Sequence, residues 1–336
     1  MKQTTTIEIS IKSFLTVIGI LVLLFVAWKV RGVLIAFFVA YILMSGFAPL
    51  VDWLTRNKVN KILAIALTYL LSICFLALLL FSVLPPLIEQ IQIFVSKLPG
   101  YMDLLQDSLN NNNISVISNE NITNLLSSKL GAALSSILNV LLNVFSVFLS
   151  FITVAIFTFY LLLERDKIKK NLFVLFPNIP RKKVTLLAHQ IEEKLGAWVR
   201  GEIVLMLIVG LATYIGLTLL RVDYALPLAV IAGLLEIIPT IGPVVSSIPA
   251  IIIALVQSPI LAIAVIALYI LVQQLENTIL VPKVMEKAVG LNPLITIVSL
   301  LIGGTLFGLI GAILAVPAVA ILHVILADYW QTRMEE

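Results

Sequence analysis

Six stretches of this chain carry no Asp, Glu, Lys or Arg: residues 32–51, 62–88, 130–163, 203–220, 237–275 and 288–327. Their apolar residues run on continuously, without the strict alternation of a membrane barrel strand. A helix needs about 20 mostly apolar residues to cross the hydrocarbon layer, so each stretch predicts at least one spanning helix. The last two are long enough for two passes each, or for one pass and a broken hairpin. Residues 13–28 form another apolar run, after Lys2 and Lys12. It ends in Ala27-Trp28-Lys29 with no small-residue cleavage site, and reads as an uncleaved first span. The pattern predicts an all-α, polytopic transmembrane helical protein of about seven or eight spans.

Composition agrees. Hydrophobic residues make up 61% of the chain and charged residues 12%, whereas a soluble domain carries roughly a quarter charged residues. A polar shell cannot be built from so few charges, so the lipid bilayer is the expected surroundings. Lys and Arg cluster at residues 2–12, 56–61 and 165–200, and are sparse in the alternate loops. By the positive-inside rule the N-terminus and the 164–200 segment are cytoplasmic. The net charge of +4 reflects these loops. No basic-aromatic pattern suited to nucleic acid is present.

The predicted organisation follows. Residues 1–84 hold the N-terminal spans and residues 85–130 an extracytoplasmic segment, amphipathic and then rich in Asn and Ser. Residues 131–163 form a fourth span, and 164–200 a cytoplasmic basic amphipathic segment. Residues 201–327 form a C-terminal transmembrane core, and 328–336 a cytoplasmic tail.

Conventional catalytic patterns are missing. Two histidines and one cysteine offer no metal-ligand spacing. No phosphate-binding Gly-x-x-x-x-Gly-Lys-Ser/Thr loop occurs, so ATP hydrolysis by that route is excluded. The expectation is no enzyme, no metal and no cofactor, and transport that is secondary or passive.

The candidate chemistry lies in polar groups and helix breakers within apolar sequence. Glu236 is embedded in the 203–275 region, where a carboxylate costs roughly 2.5 to 3.5 kcal/mol to insert. Pro239, Gly242 and Pro243 follow it and would free backbone amides and carbonyls beside it, a recurring way to build a midplane site. Gln273, Glu276 and Asn277 share one face of an α-helix and could line a solute path or end a span. Gly303, Gly304, Gly308, Gly311 and Pro317 interrupt the last run. They offer either close helix packing or hinge points.

Taken in order, Arg200-Gly201-Glu202, the stretch from Gly233 to Pro243, Gln273 to Asn277, Val281-Pro282-Lys283-Val284-Met285, Gly290-Leu291-Asn292-Pro293 and the terminal Gly/Pro series resemble the autoinducer-2 exporter family of bacterial permeases. Glu286 stands where a glycine is common in that family. The resemblance implies a multi-span permease, a homo-oligomer, exporting a small polar solute such as autoinducer-2. Glu236, Gln273, Glu276 and Asn277 would lie on its path. Some relatives resemble sodium or lithium/proton antiporters, so a monovalent cation and a proton are the alternative cargo. A non-transporting membrane scaffold acting through residues 85–130 is the reading from another class.

Overall fold

A computed structural model describes residues 11–79, 81, 85, 89, 144–177, 179–238, 241–288 and 290–334. The predicted external segment 85–130 lies almost wholly outside these residues, as do Pro239 and Thr240. The described part is helical, as the continuous apolar runs require, because backbone groups in lipid must pair within the segment.

The elements in chain order are α1 (Ile11–Lys29), α2 (Arg31–Arg56), α3 (Lys61–Leu79) and α4 (Val144–Asn171), followed by a 3₁₀ turn at Leu172–Leu175. Then come α5 (Arg181–Leu219), α6 (Ala225–Leu235), α7 (Ile241–Gln257) and α8 (Pro259–Leu275). A π turn at Glu276–Leu280 leads into α9 (Val281–Ala288), and α10 covers Pro293–Met334. Five of the described helices are long and apolar enough to cross a membrane. Large apolar side chains crowd the outer surface, for example Ile260 at 79% and Leu219 at 78% exposure, as expected where lipid is the solvent.

Three apolar cores hold the helices together. Ala40, Met44, Ala48 and Val51 of α2 meet Ala64 and Ile65 of α3 and Leu161 and Leu162 of α4. The Tyr69 hydroxyl donates to the Ala155 carbonyl at 2.8 Å and ties α3 to α4. Ile42 of α2, Leu195 and Trp198 of α5, and Val316 and Ala320 of α10 form the second core. The third runs from Leu217 through Leu228, Ala232, Ala250 and Ala254 to Val265 and Tyr269, uniting α5 to α8.

An ion-pair network fastens α2, α4 and α5 at one end. Arg165 Nη1 lies 3.0 and 2.8 Å from the two carboxylate oxygens of Asp52. Its Nη2 pairs with Glu192, and Lys169 Nζ reaches Glu192 Oε2 at 2.6 Å. The more exposed pair of Lys61 with Asp166, at 3.1 Å, joins α3 to α4 and holds the Asp166 carboxyl below its ordinary range through the hydrogen bond from Lys61.

Two features add detail to the linear reading. The amphipathic stretch after Pro180 does not stop before the membrane core. It continues as one 39-residue helix, α5, through the expected boundary at residue 200. At 1.5 Å per residue it is about 58 Å long. The last apolar run, moreover, is a hairpin. Phe307 and Gly308 leave helical geometry, with Gly308 at φ 63°, and the two arms fold together so that a Cβ on Gly303 would sit 2.3 Å from the Gly311 carbonyl oxygen. The left-handed turn and the close backbone approach both call for glycine. The first arm, residues 293–307, is about 22 Å long at that rise, short of the hydrocarbon thickness.

Helices α5 and α6 bring their backbones close together in the core. A Cβ on Gly233 would lie 2.6 Å from the Met206 carbonyl oxygen and 3.3 Å from the Gly210 Cα. Gly233→Ala is therefore expected to destabilise the protein by about 1 to 3 kcal/mol, the usual cost of overpacking. A lowered thermal unfolding midpoint in detergent would register it, and an unchanged midpoint would show that the two helices can part freely.

Candidate functional site: three buried carboxylates

Glu202, Glu236 and Glu276 are buried, at 5%, 2% and 1% exposure. They come from different elements. Antiparallel packing of α5 and α6 meets at Gly210 and Gly233. From there Glu202 is about two turns back along α5, and Glu236 is about one turn on along α6, toward the same end. Glu236 follows the last residue of an 11-residue helix, where the chain turns into α7. Gly242 makes this turn possible: a Cβ there would lie 1.9 Å from the Leu235 carbonyl oxygen. Pro243 sits in the first turn of α7, where its missing N–H costs no helical hydrogen bond.

Glu276 arrives from α8 at the start of the π turn. The Val281 N–H bonds to the Glu276 carbonyl, five residues back, and Pro282 has no N–H to give Thr278. A π bulge is the usual way for a helix to absorb such a mismatch, and it frequently marks a functional position.

The carboxyls of Glu236 and Glu276 are within hydrogen-bonding reach of each other, and both Glu236 and Glu276 act electrostatically on Glu202 or are acted on by it. Gln273 Nε2 donates to Glu276 Oε2 at 3.2 Å. Glu236 Oε2 is buried with no hydrogen-bond partner. Among the described residues no Lys, Arg or His forms an ion pair with any of the three. Carboxylates in contact and out of water repel strongly, at about 4 kcal/mol for unit charges 4 Å apart in a protein-like medium. A proton or a bound cation must sit among them. Chemically, the cluster can take up and release either.

One turn before Gln273 the Tyr269 hydroxyl donates to the Ser246 carbonyl at 3.3 Å and fixes α8 against α7. The cluster thus rests on four mutually packed elements.

The other expected residues are placed as follows. Asn277 is exposed and stands away from the cluster, because the π turn shifts the face that an α-helix would have continued. Pro282 and Lys283 are exposed on α9. Gly290 has φ 67°, Asn292 Oδ1 accepts from the Leu294 N–H at 2.9 Å, and Pro293 opens α10. This Gly-Leu-Asn-Pro motif is thus a helix start signal. Gly304 lies 3.9 Å, by its missing Cβ, from the Ala312 Cβ across the hairpin, and Pro317 is buried within its second arm. Gly201 is buried on α5, while Arg200 turns away toward α2. Glu202 is the residue that reading the sequence missed as a site residue. It adjoins a basic cluster and marks the edge, not the interior, of an apolar run.

Comparison with known proteins fits this architecture. A family profile described as AI-2E family transporter matches residues 15–331. Three similar proteins carry the name "Putative transport protein". YueF of Bacillus subtilis (strain 168) is 31% identical over 91% of this chain and 90% of its own length. YrrI of the same organism is 27% identical over 90% and 87%. YhhT of Escherichia coli (strain K12) is 29% identical over 86% and 81%. With a profile match over nearly its whole length on a multi-pass helical membrane fold, the chain belongs to the AI-2E family of membrane transporters.

Proposed function

We propose that this protein is a secondary transporter that moves a small polar solute of the autoinducer-2 kind across the bacterial inner membrane, with Glu202, Glu236 and Glu276 as the site that couples transport to a proton. One observation carries the reading: three buried carboxylates converge beside two helix breaks, with no basic partner among the described residues. Ionisable groups inside a membrane protein are costly and mark ion or proton paths by default. Broken helices add backbone acceptors at the same level.

In the proposed cycle the proton shared by Glu236 and Glu276 is released when the site faces one side and is replaced from the other. Gln273 holds Glu276 in register, and Glu202 biases the pair through its charge. A second reading, exchange of sodium or lithium for protons, would use the surplus of carboxylate oxygens over donors. Cation and proton would then compete for the same oxygens.

The test is flux in proteoliposomes under an imposed pH gradient, against protein-free vesicles, with labelled autoinducer-2 in one set and sodium or lithium in another. Gradient-dependent movement of autoinducer-2 supports the first reading. Proton efflux driven by sodium or lithium alone supports the second. No protein-dependent flux of either kind would overturn both.

A further inference from the structure

A second polar site lies apart from the carboxylate cluster, at the end of the bundle that carries Arg56, Lys58, Lys167 and Lys170. It is a cavity of about 440 Å³ between α2, α4 and α5, with Asp52, Arg56, Arg165, His189, Glu193 and Arg200 in its wall. Glu192, at 4% exposure, also contributes to the wall. Its size falls in the usual range for small-ligand pockets.

The charges in it divide into two sets. Asp52, Glu192, Arg165 and Lys169 neutralise one another within the network described above. Arg56 and Arg200 take no part in it and form no ion pair among the described residues. Against these two guanidiniums stands one further carboxylate, Glu193, exposed at the rim. The surplus is a single positive charge, the complement of a phosphodiester or a monobasic phosphate.

Arg200 is placed by the backbone of its neighbours. A Cβ on Gly196 would lie 3.1 Å from Arg200 Nη1 and 2.6 Å from the Ser45 carbonyl oxygen. Only glycine at 196 lets α5 close on α2 while the guanidinium folds back a turn over the crossing. Pro49, one turn after Ser45 on α2, has no N–H for that carbonyl and lines the same cavity. Arg56 closes the other end from the last turn of α2. Trp53 lines the cavity and is 60% exposed, a position typical of side chains at the headgroup level.

We propose that this cavity binds a phosphoryl oxyanion, drawn by the guanidiniums of Arg56 and Arg200 in its wall. Guanidinium groups are suited to it because their planar N–H pairs match phosphate oxygens. The oxyanion comes either from the headgroup of an anionic phospholipid or from a soluble phosphate, and the two are told apart by the probe. The proposal is independent of the carboxylate cluster and of the cargo.

The test uses the purified full chain in detergent, titrated separately with inorganic phosphate, with phosphatidylglycerol and with diacylglycerol, reading the thermal unfolding midpoint. Saturable stabilisation by phosphate or phosphatidylglycerol is expected, with diacylglycerol inert. The R56Q/R200Q variant should bind at least about tenfold more weakly, equivalent to about 1.4 kcal/mol. The R56K/R200K variant should keep part of the response and serves as the folded control. The single R56Q change at the exposed end of α2 gives a second, milder variant. A response to phosphatidylglycerol alone identifies the headgroup as the source, and a response to phosphate alone identifies a soluble ligand. An undiminished response in R56Q/R200Q, equal stabilisation by diacylglycerol, or no saturable response to either probe would overturn the proposal.

Discussion

Glu236→Gln is expected to assemble like the parent protein and to carry no more gradient-driven flux than protein-free vesicles. The amide is nearly isosteric, and the site it enters is 2% exposed and closely packed. It can donate to Glu276, which is within reach, so the substitution removes a repulsion and costs little packing. What it removes is the exchangeable proton, the negative charge and one of the two cation-binding oxygens. Stability and transport should therefore separate: an unfolding midpoint equal to or above that of the parent, with flux abolished. Full activity in this variant would sink the assigned role of the carboxylate cluster. Retained flux with a lost gradient dependence would leave Glu236 in coupling and not in passage of the solute.

The second large effect concerns stability. Arg165→Met is expected to lower the unfolding free energy by about 3 kcal/mol, because removing one partner leaves buried charge uncompensated. Arg165 holds both Asp52 and Glu192, and Glu192 is 4% exposed. Lys169 remains on Glu192 and Asp52 is nearly half exposed, which keeps the loss at the lower end of the range for such changes. Unfolding in detergent followed by circular dichroism measures it. A loss below about 1 kcal/mol, the value of a surface pair, would show that water already screens the network.

How far the sequence discloses this site depends on what each residue's neighbours in the chain reveal. Glu236 is legible because apolar residues flank it on both sides and helix breakers follow at once. Glu276 is legible as part of a polar stripe, although α-helical spacing also nominates Asn277, which the π turn leaves exposed. Glu202 is hidden by its company. Next to Arg200 it reads as the end of a charged segment. Only the unbroken run of α5 and the return of α6 along Gly210 and Gly233 carry it into the interior. The spans themselves are plain from their length. Whether a long apolar tract folds as two passes or as a hairpin is decided by a turn as small as Phe307-Gly308, where one glycine with positive φ reverses the chain. The fastening of α2 to α4 and α5 through Arg165 is equally hidden, since Asp52, Arg165 and Glu192 lie far apart in the sequence.

That reversal alters the parity of the membrane topology. Were residues 294–330 one unbroken helix, they would cross once and put the C-terminus opposite the loop that precedes α10. As a hairpin the tract contributes an even number, so Trp330 and Asn292 share one face of the membrane. Sidedness assigned from a reporter at the C-terminus therefore applies directly to the Gly290–Asn292 loop.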